Sequence, residues 1–353
     1  MKLNANHTPD FSQLLKVLNR EVPDRPVLFE FFFDDEVYQN ITGKKLKADT
    51  RWPNLTNLHD RGTVVVEAFE KTGYDYATIQ GSAFDIMFNV FKNKSAENAT
   101  VSLNEGKFIY DRQSFESFPW SEPEQFDYSH LDTLADIMPD GMKLIVNGPC
   151  GILEIVIQLI GYERLCYLLF DDPDLVKDVF DAVGERFVRY YQQAVEYEGV
   201  GAVIYNDDWG FNTGPMISPK DLRSLVFPYV GEIVSCAHRA GRPAILHSCG
   251  NLYPQLIEDI IDELNFDAKH SFEDIILPVE EAYRRYHDRI AILGGLDVDF
   301  LVRSSAERIE KRARELVQLG MEGGGYALGS GNSIADYIPE ESFNAMRRAT
   351  GTV

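Results

Sequence analysis

Arg242-Pro243-Ala244-Ile245-Leu246-His247-Ser248-Cys249-Gly250-Asn251 is the stretch on which the reading of this chain turns. Its short apolar run, Pro243 to Leu246, has the pattern of a buried strand, and Gly250-Asn251 turn the backbone toward a helical segment. Side chains alternate along an extended chain, so His247 and Cys249 leave its C-terminal edge on the same face. An imidazole and a thiol placed in this way are the beginning of a zinc site, which takes nitrogen and sulfur ligands. The same decapeptide also describes a packed cysteine beside a hydrogen-bonded histidine. A third use, Cys249 as a nucleophile, needs a base. His247 lies too close in sequence to serve easily, which leaves His270 on a neighbouring strand.

The unit of apolar strand, polar terminus and helix recurs on both sides of this stretch. Upstream, strands are expected at Arg25–Phe33, Tyr74–Ile79, Met142–Asn147 and Ala202–Asn206. Downstream they are expected at Phe266–His270, Ile290–Leu293 and Gly325–Leu328. Amphipathic helix-length segments lie between them, among them Pro219–Ala240, Leu252–Leu264 and Ser304–Leu319. Such alternation implies parallel strands, and eight of them suit a closed (β/α)8 TIM barrel better than an open sheet. The expected fold class is therefore α/β, a single barrel domain over 1–353. Residues 80–126, after the second strand, are polar and aromatic without a long period. They read as an insertion or lid with hairpin character around Thr100–Tyr110. The Gly-x-Gly-x-x-Gly turn of a dinucleotide fold is absent.

Fifty-six acidic residues against 34 basic ones give a formal net charge of −22. That balance opposes nucleic acid and anionic membrane surfaces as partners and leaves small molecules and proteins. No run approaches the roughly 18 apolar residues of a membrane span, and Met1 to Leu18, without an apolar core or small-residue cleavage site, is not expected to direct export. Cys150, Cys166, Cys236 and Cys249 show no paired spacing, so reduced thiols in a cytoplasmic protein are expected.

In a barrel of this kind, chemistry gathers at the C-terminal ends of the strands. Glu30 lies there among phenylalanines, where a carboxylate must find a partner or suffer desolvation. The fourth expected strand runs into Asp207-Asp208-Trp209, the fifth into His247 and Cys249, the sixth into His270 and Glu273, and the last into Asn332. Glu30, Asp207 and His270 are the candidates for catalysis, and Asp208, Trp209, Glu273 and Asn332 for substrate binding. Each has a plainer alternative. The Asp207-Asp208 pair and Asp297 could cap helices, and His270 could be a hydrogen-bonded barrel histidine.

Asp207-Asp208-Trp209-Gly210, Ile217 to Leu222, Phe227-Pro228-Tyr229, Ala240 to Pro243 and His247 to Asn251 together resemble the uroporphyrinogen decarboxylase superfamily, in its corrinoid-linked, methyltransferase-like branch. The resemblance implies a (β/α)8 barrel and methyl transfer between a small donor and a corrinoid or thiol acceptor. It also implies zinc, a corrinoid carried by a partner protein, and a homodimer. The alternatives it leaves are a decarboxylase-type carboxy-lyase and a non-catalytic binding barrel. Two departures matter. The family's decarboxylases use an N-terminal Met-Arg-Gln-Ala-Gly-Arg segment to meet substrate carboxylates, whereas Val27 to Phe33 here contains no arginine and adds Glu30. The family's thiol methyltransferases bind zinc through His-x-Cys and a distant cysteine, whose counterpart here is Asn332. Either Asp207, His270 or Glu273 then completes the set begun by His247 and Cys249, or the chain binds no metal tightly.

Overall fold

Seven short strands form one parallel sheet in the computed structural model, which describes residues 7–50, 55–87 and 108–351. They are β1 (Tyr76–Gln80), β2 (Lys143–Asn147), β3 (Val200–Asn206), β4 (Ala244–His247), β5 (Ala268–His270), β6 (Ala291–Leu293) and β7 (Tyr326–Ala327). Their order in the sheet is their order in the chain, so each crossover leads to the adjacent strand. Helices cover the strands, and Val200 to Tyr205 of β3 are buried throughout. That is why β3 is apolar along its length instead of alternating.

The register brings the polar strand ends level in two groups, offset by two residues where Asn147 pairs with Ile204. Gln80 pairs with Asn147, Asn206 with His247, and His247 with His270. One edge of an otherwise apolar sheet thus carries amides on one side and imidazoles on the other.

The expected first strand is not a regular one. Leu28 and Phe33 make isolated parallel bridges to Leu328 and Ile334. On the other side, the hydroxyl of Tyr76 donates to the carbonyl of Glu30 at 2.8 Å and accepts its N–H at 2.7 Å. A side chain on β1 satisfies backbone groups that a ladder would otherwise take. Among the described residues the sheet therefore has seven strands, with the 27–33 segment lying between its two edges.

Helix boundaries also depart from expectation. The segment from Pro219 is two helices, Pro219–Leu225 and Phe227–Arg239, divided at Val226, because Pro228 has no N–H to continue the first helix and fits the first turn of the second. Most of the expected hairpin at 100–110 lies outside the described residues. Beyond it, the N–H groups of Phe108 and Ile109 reach the carbonyl of Leu159, and Ile109 is buried. No helix among the described residues is long and apolar enough to cross a membrane.

Candidate functional site

His247 and His270 end adjacent strands, and their Nδ1 atoms lie 2.8 Å apart. His270 Nε2 faces the carbonyl of Ser330 at 3.4 Å. A carbonyl only accepts, so His270 carries its proton on Nε2 and accepts at Nδ1. His247 must then donate from Nδ1, which leaves its Nε2 with a free lone pair. Burial lowers the pKa of both rings, that of His270 with a further contribution from His247. Both imidazoles are neutral.

The lone pair of His247 Nε2 looks toward Cys249 Sγ, 3.8 Å away. That sulfur accepts from Ser271 Oγ at 3.2 Å and from Asn332 Nδ2 at 3.3 Å. Burial and then the charge of Asp208 push the metal-free thiol up to about 12. Asp208 Oδ1 accepts the backbone N–H of Cys249 at 2.8 Å. One ligand atom from each of Asp208, His247 and Cys249 lies within 4.8 Å of the other two. Tetrahedral zinc, at about 2.3 Å from sulfur and about 2.0 Å from nitrogen, holds those two atoms about 3.5 Å apart. The observed 3.8 Å fits. Three protein ligands leave a fourth position for water or substrate, which is the pattern of catalytic zinc.

The third member of the triad is thus Asp208, and not the expected Asp207, His270 or Glu273. Asp207 turns the opposite way, into the core, where its carboxylate accepts from the N–H groups of Leu153 and Glu154 at 3.0 and 3.1 Å. It also accepts from Tyr205 Oη at 2.8 Å and Trp209 Nε1 at 2.9 Å. This is capping of the helix Ile152–Ile160 by a residue more than fifty positions away, where free N–H groups favour a negative charge. The chain must pass very close for this: a Cβ on Gly151 would stand 2.1 Å from the Asp207 carboxylate. His270 acts on His247, and Glu273 Oε1 accepts the N–H of Gly250 at 3.4 Å. Gly250 holds a left-handed φ of +85°, and a Cβ there would meet Gly210 O at 2.0 Å.

Two further expectations are redirected. Trp209, expected to touch substrate, is fully buried with its ring against Tyr205 and Phe227. Glu30 is also fully buried and finds its partner in Ser330, accepting from the N–H at 2.7 Å and the hydroxyl at 2.6 Å. Burial raises its carboxyl to about 8 against those bonds. Both are scaffold residues, as is Asp297, which caps the helix Val298–Arg303.

Behind the triad lies Lys269, which the sequence reading did not single out. Its side chain is buried, and Nζ donates to the carbonyls of Ser271, His270 and Ser248 at 2.6, 3.3 and 3.4 Å. Desolvation lowers its pKa to about 8, opposed by the charges of Cys249 and Asp208. Cys150 and Glu154 form a second, half-buried pair that no local pattern announces. The thiol of Cys150 donates to Glu154 Oε2 at 3.3 Å, and burial, Asp207 and Asp208 raise the Glu154 pKa.

A cavity of about 650 Å³ opens beside the triad, over the ends of β1, β2 and β3. Phe31 joins the two regions: it lines the cavity and packs on the ring of His247, with centroids 4.6 Å apart. Asn206, in register with His247, lines it as well. The acidic run Asp34-Asp35-Glu36 that forms part of the wall was visible in sequence, directly after the phenylalanines, but no local pattern ties it to Asn147 or Asn206.

Comparison with known proteins bears on what this architecture is. Residues 128–352 match the family model described as "Uroporphyrinogen decarboxylase (URO-D)". The chain belongs to the uroporphyrinogen decarboxylase family. Curated relatives include the uroporphyrinogen decarboxylase of Thioalkalivibrio sulfidiphilus, 29% identical over 52% of this chain and 51% of that protein. The uroporphyrinogen decarboxylase of Dechloromonas aromatica is 24% identical over 63% of this chain and 64% of its own length. The chain thus spans about half to two thirds of the length of these relatives. A solved methyltransferase from Methanosarcina mazei superposes with a TM-score of 0.70 over 98% of this chain and 99% of that one. At 15% identity it shows a shared fold. The family membership expected from Asp207-Asp208-Trp209-Gly210 and His247-Ser248-Cys249-Gly250-Asn251 is therefore correct.

Proposed function

We propose that this chain is a metal-assisted methyltransferase in which Asp208, His247 and Cys249 hold zinc and the neighbouring cavity takes the small methyl donor or acceptor. The observation that carries the reading is the convergence of a carboxylate, a neutral imidazole with a free lone pair and a thiol within 4.8 Å. Zinc bound there would supply Lewis acidity, lowering the pKa of a coordinated thiol or polarising a methylated heteroatom. The protein's own groups set the geometry. Ser330 fixes the proton of His270, His270 fixes that of His247, and Ser271 and Asn332 hold the sulfur of Cys249 from two sides. Phe31 covers His247 on the cavity side and keeps water from its ring. In the transfer, the acceptor supplies the electron pair of the new bond to the methyl carbon. The pair of the breaking carbon–heteroatom bond stays with the donor atom. A corrinoid protein is the partner we assign to the exchange, with a homodimer as the working assembly in the cytoplasm.

Decarboxylation is the second reading, favoured by the names of the curated relatives. The cavity opposes it. Four carboxylates, of Asp34, Asp35, Glu36 and Asp336, face it against the single guanidinium of Arg61 among the described residues. Arg61 is itself engaged by Asp35 at 2.8 Å and Thr50 O at 2.9 Å. A porphyrinogen bearing many carboxylates meets a wall of its own sign.

Metal analysis of the purified chain and of Cys249→Ser tests the proposal. Stoichiometric zinc in the wild type, lost together with methyl transfer in the variant, is expected. Metal-free wild type with unimpaired transfer by the variant ends it, and so does conversion of uroporphyrinogen to coproporphyrinogen under anaerobic conditions.

A further inference from the structure

We infer that the cavity beside the metal triad receives a small methylated ammonium ion that still carries an N–H. The inference rests on the methyltransferase reading and names the substrate class of that same site. Three independent features of the cavity support it.

The first is charge: Asp34, Glu36 and Asp336 add to the Asp35–Arg61 pair, so the wall carries an excess of negative charge with no cation set against it among the described residues. The second is the aromatic corner. Phe31 and Phe32 stand with centroids 5.1 Å apart and planes at 74°, presenting two nearly perpendicular faces. Phe32 lines the cavity and remains 37% exposed, so its ring is accessible to a ligand there. Perpendicular π faces beside carboxylates attract alkylated ammonium through both the ring quadrupole and the charge, while the methyl groups bury against the rings. The third feature is unspent hydrogen-bonding capacity. Thr78, only 5% exposed, lines the cavity and its Oγ1 has no partner. Asn206 Oδ1, at the cavity's opposite strand, also lacks one. An amide oxygen accepts and cannot donate, so the missing partner is a donor. Buried polar atoms left unpaired are costly, and a ligand N–H removes that cost.

Position agrees with chemistry. Phe31 touches both the cavity and His247, so an ammonium against its face has its methyl groups at the approach to the triad.

Calorimetric titration of the full-length chain with trimethylammonium, tetramethylammonium, tert-butyl alcohol and acetate tests the inference, with zinc content measured on the same samples. Trimethylammonium is expected to bind best. Tetramethylammonium, lacking the N–H, is expected to be several-fold weaker. The neutral and anionic probes should be at least about tenfold weaker. Phe32→Ala, at a half-exposed position, should weaken trimethylammonium about tenfold, and Asp336→Asn several-fold. Equal binding of tert-butyl alcohol, or wild-type affinity in both variants, overturns the inference. Zinc present without cation binding sinks this inference alone. Cation binding by a chain that holds no zinc supports it while removing the proposed metal chemistry.

Discussion

The two halves of the site are built on opposite plans. On the imidazole side, over β4 and β5, polar atoms are spent on one another: His247 on His270, His270 on Ser330, Cys249 on Ser271 and Asn332, Asp208 on the N–H of Cys249. On the amide side, over β1 to β3, Thr78 Oγ1 and Asn206 Oδ1 are buried and unpartnered, and an aromatic ring stands open to solvent. A closed network holds three ligand atoms to a geometry before any metal arrives. An unfinished one is completed by something that comes and goes. On the proposed function, pre-organisation belongs to the metal and incompleteness to the substrate.

The largest expected effect separates the halves. Cys249→Ala should lower zinc affinity more than a hundredfold, beyond what loss of a supporting contact costs, while trimethylammonium binding changes little. Competition with a chromophoric chelator measures the first and calorimetry the second. Retention of wild-type zinc affinity would erase the distinction.

A comparable effect is expected from the residue that lies beneath both halves. The folded pKa of Glu30, about 8, stands above its ordinary value of 4.5. Folding therefore favours the protonated form, and stability is highest below the unfolded pKa. It falls as pH rises toward and through the folded value. Chemical denaturation between about pH 5 and pH 9 should show a loss on the order of a few kcal/mol. Glu30→Gln should flatten that slope, and an unchanged slope would mean that the carboxyl is ionised inside the fold.

His270→Ala comes next. It removes the group that fixes the His247 tautomer and should cost about ten- to a hundredfold in zinc affinity. An increase in KM without loss of metal would place His270 in the cavity instead. Gly151→Ala forces Asp207 off its cap and should destabilise the fold by about 1–3 kcal/mol, with the metal site retained in the folded fraction. The smallest expected change is Asn332→Ala, a few-fold weakening of zinc binding through loss of one donor to sulfur, read by the same chelator competition.

Much of this could be read from local pattern. The apolar runs at 143–147, 200–206 and 244–247 announced strands because parallel strands are buried on both faces and need no alternation. The segment 25–33 has the same look and forms only bridges, because Tyr76 reaches across to take the backbone of Glu30. The run 80–126 could be set apart for its lack of period, but not interpreted. Asn206 ends an apolar strand just as His247 does, yet an amide gives no hint of a ligand until its partner is found missing.

By itself the amino-acid order determined seven of the eight expected strands, the family, and the placing of an imidazole and a thiol on one face, since these follow from unbroken apolar runs, from motifs a few residues long and from period two. Only the tertiary structure decided which of two adjacent aspartates joins them. Asp207 is claimed by the N–H groups at the start of the helix Ile152–Ile160, and that claim leaves Asp208 as the one that converges with His247 and Cys249. The two carboxylates are chemically the same, so the choice rests on which unsatisfied donors the fold brings within reach, and those lie half a hundred residues away along the chain.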